Sequence, residues 1–111
     1  MPRNDRLSLE LMLDTARRLH GLARGRSRPD LDTDDVLVLA MLHLIQRLGE
    51  TASRLSAEFR AAHPEFPWGE MIAMRNRIVH AYGDLDPDIV WHVATDDIEA
   101  VIAALERAIA D

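Results

Sequence analysis

The chain has 111 residues, 48% of them hydrophobic, and no cysteine. This allows one domain with one core over residues 1–111, and it excludes a disulfide framework, a thiolate metal site and a disordered chain. The net charge of −6 speaks against a nucleic-acid partner, but the charge is unevenly spread: residues 1–28 hold seven Arg against three acids, a local +4, and residues 29–111 hold six Arg against sixteen acids, a local −10. Two readings of the basic segment stand open, a solvated helix face or a docking surface for an acidic partner or RNA phosphates.

Aromatics are 5%, so Leu, Ala, Ile and Val supply the apolar mass, a balance that favours helix packed on helix. The start carries no apolar run like that of a signal peptide, and no stretch is apolar enough to span a bilayer. A soluble cytoplasmic protein with no membrane partner is expected. Asn4 or Asp5 is placed to cap a first helix whose stripe is Leu9, Met12, Leu13, Ala16, Leu19 and Ala23, ending near Gly25. Residues 25–30 read as a loop. Thr33, Asp34 and Asp35 open a second helix with acids at its positive end. Residues 36–42 are apolar nearly all round, as in a helix buried on more than one side, within a bundle or at a subunit contact. The same helix is predicted to run on through Ile45, Leu48, Ala52, Leu55 and Phe59. Gly49 inside it costs about 1 kcal/mol relative to Ala, so the close approach of another backbone is expected there.

Pro64 and Pro67 break the helix. A third helix is predicted over residues 68–82, a turn-rich loop over 83–88 and a short helical piece over 89–93. Thr95 is expected to cap a last helix with the stripe Ile98, Val101, Ile102, Leu105 and Ile109. The predicted architecture is all-α, an antiparallel bundle of four to five helices.

Arg75, Asn76, His80 and Tyr82 fall within eight residues at the end of the third helix. At about 100° per residue Asn76 and His80 share a face, whereas Arg75 and His80 stand about 140° apart. The two would meet on one ligand only if Arg75 reaches round, if the helix ends near His80, or if a two-fold partner closes the gap. The residue types suit phosphodiester cleavage: an arginine fork holds a phosphate and neutralises transition-state charge, and a histidine moves a proton near neutral pH. Asn76 offers a neutral donor. Such chemistry needs no metal or cofactor, and the five histidines show no zinc-binding spacing. From residue types alone the pair reads more readily as a solvated arginine and a histidine favoured by the dipole at a helix C-terminus than as a catalytic pair. Glu50 reads as an exposed acid in preference to an orienting partner for Arg75, and Trp68 and Trp91 as core or interface anchors.

The stretch Met74-Arg75-Asn76-Arg77-Ile78-Val79-His80-Ala81-Tyr82 resembles the signature of HEPN-domain ribonucleases, in which Arg and His are separated by about four to six residues; here four intervene. Its Arg-Asn-x-x-x-His-x-Tyr form resembles the HepT toxin branch. The likeness extends to residues 48–52, 63–68 and 88–91, although Gly69 stands where a polar residue is expected. The resemblance implies a homodimeric, metal-independent endoribonuclease whose cleft lies between two subunits. It assigns Arg75 and His80 to catalysis, Asn76 to its support, and Tyr82 to modification with AMP by a cognate minimal nucleotidyltransferase, the antitoxin. RNA is then the substrate. The alternative is a non-catalytic helical module that binds nucleotide or the nucleotidyltransferase, which fits the acidic net charge better.

Overall fold

Apolar residues three and four apart make one face of the first segment a stripe, and burying it sets the first helix. α1 (Arg3–Ala23) turns Leu9, Met12, Ala16, Leu19 and Ala23 into the core. The computed structural model describes residues 2–80 and 86–110, with the backbone alone over residues 77–80; among the described residues there is no strand. Leu13 is only half-buried at the stripe's edge. The N-cap position falls to Pro2, which has no side-chain donor or acceptor, so neither Asn4 nor Asp5 caps the helix. Asp5 instead lies one turn inside, 3% exposed, and its carboxylate accepts the Ser56 N–H at 2.9 Å and the Ser56 hydroxyl. A local capping signal was overridden by a partner 51 residues away.

Gly25, with φ +76°, turns the chain out of α1 in a conformation that side-chain-bearing residues rarely adopt. Ser27 and Asp30 then exchange hydrogen bonds around a single 3-10 turn (Arg28–Asp32), so the expected loop carries its own capped turn. α2 (Asp35–Ser53) starts at Asp34, whose carboxylate accepts Leu37 N–H at 3.0 Å. It packs against both α1 and the later helix α4, which is why so many of its positions are apolar. It does not run on to Phe59. Ser56 is extended (ψ 158°) because Asp5 holds its N–H, and its hydroxyl oxygen accepts Phe59 N–H to cap a new short helix, α3 (Ala57–Ala62). Phe59 is still buried, stacked on His63 and edge-on to Phe66.

α4 (Trp68–His80) follows the Pro64 and Pro67 break and is helical to His80; its expected continuation to residue 82 lies outside the described residues. α5 (Pro87–His92) begins with Asp86 accepting Asp88 N–H at 2.9 Å. Arg28, reaching over from the 3-10 turn, pairs with Asp88 and with Asp32; these carboxylates, Asp32 first, raise its already high pKa. The expected gap before the last helix is absent. α5 passes through one π turn (Val93–Asp97) into α6 (Ile98–Ala110), and Thr95, instead of capping, donates its hydroxyl back to Trp91 C=O at 2.7 Å. Val93 and Ile98, five residues apart and both essentially fully buried, explain the wide turn. On a regular α-helix they would point about 140° apart, whereas the wider π turn, with its i→i+5 hydrogen bonding, brings them close to one face. Ile98, Val101 and Leu105 of the expected stripe are buried, and Ile102 and Ile109 are half-buried at its edges.

The layer order is therefore α6, α1, α2, α4. α1 runs antiparallel to α6: Arg6 near its start reaches Ile109 C=O, and His20 near its end faces Glu99 at 3.7 Å. The Asp5–Ser56 contact sets it antiparallel to α2 as well. Each fully buried Leu, Ile, Met or Phe in this core contributes about 1.5–3 kcal/mol. No helix among the described residues is long and apolar enough to cross a membrane.

Candidate active site

α4 lies across α2 at Gly49. A Cβ added to Gly49 would overlap the Cβ of Arg75 and come within 3.1 and 3.2 Å of its Cγ and Cδ. The close approach expected at this glycine is made by a side chain and not by another backbone: the stem of Arg75 runs along α2 there. Its guanidinium then turns toward the next residue: Nε and Nη2 donate to Asn76 Oδ1 at 3.2 and 2.7 Å. Arginine has only donors, so the amide atom facing it must be the oxygen. Both side chains are half-buried.

Sequence reasoning did not find this bond, because residues i and i+1 on a helix do not ordinarily face one another. It matters for the angle problem at this site. α4 stays helical through His80, so the backbone positions of Arg75 and His80 keep an offset of about 140°. Asn76 and His80 stand only about 40° apart by the same geometry. By accepting the guanidinium, Asn76 draws the head of Arg75 toward the face on which His80 stands. Asn76 was expected to act as a donor; toward Arg75 it is an acceptor. The His80 side chain and Tyr82 lie outside the described residues.

The neighbouring polar groups have other employment. Glu50 is exposed. Arg60 of α3 lies over the Trp68 ring, 3.9 Å from its centroid, and donates to Ser53 C=O at 3.2 Å. That covers one face of Trp68, which with Trp91 is half-buried against the core, so both serve as anchors. Among the histidines, His92 sits between Asp96 (3.0 Å) and Asp97 (3.2 Å), His63 stacks on Phe59, and His20 faces Glu99. No group of three or more His, Asp and Glu arranged to hold a metal ion occurs among the described residues. In the basic N-terminal segment Arg6 pairs with Glu10 at 3.3 Å, Arg18 with Asp14 at 2.9 Å and Arg17 with Glu106 at 3.3 Å. Much of its positive charge is thereby matched by acids of the same molecule, as on a solvated face.

The outward side of α2 is different in kind. Val36 is 76% and Leu39 60% exposed, the two most exposed large apolar side chains among the described residues. The apolar coat of residues 36–42 is therefore only partly used by this chain's own core.

A family model described as ribonuclease HepT-like matches residues 12–108. The chain is 26% identical over 107 residues to an inferred ribonuclease HepT of Thermococcus cleftensis, covering 96% of this chain and 97% of that protein. It is 31% identical over 90 residues to an inferred RNase of Caldanaerobacter subterraneus subsp. tengcongensis, covering 81% and 80% respectively. No solved structure matches significantly.

Proposed function

This chain belongs to the HepT-like ribonuclease family, and we propose that it acts there as a metal-independent endoribonuclease, the toxin of a toxin–antitoxin pair. The observation that carries this reading is the Arg75 guanidinium held by Asn76 toward the His80 face of α4. A phosphate seated on the remaining N–H groups of Arg75 would place its scissile bond beside His80. The ribose 2′-oxygen then attacks the adjacent phosphorus, the bond to the 5′-oxygen breaks, and His80 takes the first proton or supplies the second. Arg75 neutralises the charge that builds on the non-bridging oxygens.

The reading includes a homodimer. Val36 and Leu39 on the outer side of α2 are the apolar surface a second copy would cover, and α2 also carries Gly49, against which Arg75 lies. It also includes control at Tyr82, two positions beyond His80. A partner nucleotidyltransferase would let the tyrosine oxygen attack the α-phosphorus of ATP, with loss of pyrophosphate and a proton. The resulting AMP ester sets a bulky anion beside the phosphate site and blocks it by occupancy and repulsion.

Cleavage of RNA by the purified chain tests the core of this proposal. Cleavage should persist in EDTA and vanish in His80→Ala, and intact mass after co-expression with the nucleotidyltransferase should show AMP on Tyr82. Undiminished cleavage by His80→Ala would sink the catalytic assignment. A chain that cleaves no RNA yet binds the nucleotidyltransferase tightly would establish the non-catalytic binding module instead. Paired Val36→Asp and Leu39→Asp substitutions should give a monomer in sedimentation; a dimer that survives them does not use this face.

A further inference from the structure

We propose that Gly49 is a positioning residue for Arg75: by lacking a Cβ it lets the arginine stem cross the α2 backbone, and so sets where the guanidinium stands. The inference rests on the ribonuclease reading of Arg75. Gly49 is buried well inside α2, between the core residues Leu48 and Ala52, where an α-helix by itself favours alanine. Glycine is needed there only if something occupies the space of the missing methyl group. The occupant is not the far end of a flexible side chain but the first three carbons of Arg75 in succession, beginning with its Cβ.

A Cβ is fixed to the backbone, so neither the new methyl group nor the Arg75 methylene can swing aside. Relief requires α4 to move away from α2 at this crossing, carrying Arg75 with it. Stem and head are thus held from two sides: the α2 backbone at Gly49 places the first carbons, and Asn76 Oδ1 holds the guanidinium. No other glycine with described surroundings has such a neighbour. Around Gly21, in α1, and Gly69, in α4, a new Cβ would meet nothing within 4 Å.

The experiment compares RNA cleavage and thermal unfolding of the full chain as wild type, Gly21→Ala, Gly49→Ala and Arg75→Ala. Gly21→Ala should match wild type. Gly49→Ala should lower kcat by about 100-fold, the cost of moving a reacting group by roughly 1 Å, with KM within about threefold. If the glycine only eased packing, Gly49→Ala would lose folded protein while each folded molecule kept the wild-type kcat, and that result overturns the inference. Should Gly49→Ala fail to fold, the methyl is added in an Arg75→Gly background, where the clashing Cβ is gone. A Tm for the double variant equal to or above that of Arg75→Gly supports the steric account, and a lower Tm overturns it. Failure of the inference stays separable from failure of its premise. If wild type cleaves, Arg75→Ala does not, and Gly49→Ala matches wild type, only the Gly49 role falls. If wild type cleaves no RNA, the ribonuclease reading falls and the role of Gly49 with it.

Discussion

Along the seam between α1 and α6, polar side chains reach from one helix to the other: Arg17 to Glu106, His20 to Glu99, and Arg6 to the last turn of α6. At the crossing of α2 and α4 the arginine's hydrogen bonds stay within its own helix. Arg75 passes over Gly49 and gives two N–H groups to Asn76, a neutral acceptor. An acid in that place would neutralise the guanidinium; an amide orients it and leaves its charge available to an anion. Both seams are closed by apolar stripes, so the difference lies in what their cations are used for. One seam sets its arginines against an acid and a carbonyl of the other helix, and the other sets its arginine against a neutral amide of its own.

The comparison is broken most severely by Arg75→Ala. It should lower RNA cleavage by 10³-fold or more, about 4 kcal/mol in transition-state stabilisation, while circular dichroism and Tm stay near wild type. A large fall in Tm would make Arg75 a scaffold residue. Asp5→Ala tests the opposite kind of polar group, one committed to the scaffold. Leaving the Ser56 N–H and hydroxyl without their acceptor should cost about 1–3 kcal/mol in urea unfolding, with cleavage per folded molecule unchanged. Asn76→Ala should leave stability nearly intact and reduce kcat about tenfold, the effect expected when a hydrogen bond that orients a catalytic group is lost. Smallest is Arg17→Ala. Its pair with Glu106 is more than half exposed at both ends, so unfolding free energy should move by no more than about 0.5 kcal/mol.

What could be read from the sequence was local. The stripes of α1 and α6, the stop at Pro64 and Pro67, the start of α4 at Trp68 and the tight spot at Gly49 all follow from periodicity or from the chemistry of single residues. What could not be read depended on partners far away in the chain or on a geometry with no sequence period. Asp5 had the chemistry of a cap and was taken by Ser56 across the fold, and that same contact ended α2 earlier than its apolar pattern suggested. Thr95 likewise had a capping side chain but lay inside a π turn, where its hydroxyl found Trp91. At the candidate site, the residue types and spacing of Arg75, Asn76 and His80 were legible. The direction of the arginine arm was not, because it is set by the α2 backbone and by a neighbour that helix geometry would have discounted.

The π turn over Val93–Asp97 has a bearing on how this protein can change length. It is one residue of slack in an otherwise regular helical run from Pro87 to Ala110. Removing one residue from its interior brings Val93 and Ile98 to a four-residue spacing, which an ordinary α-helix also places on one face. The same deletion further along α6 would rotate every later apolar residue by about 100°, away from α1. Single-residue gaps between relatives should therefore collect at residues 94–97, where the bundle absorbs them without altering how its last helix docks.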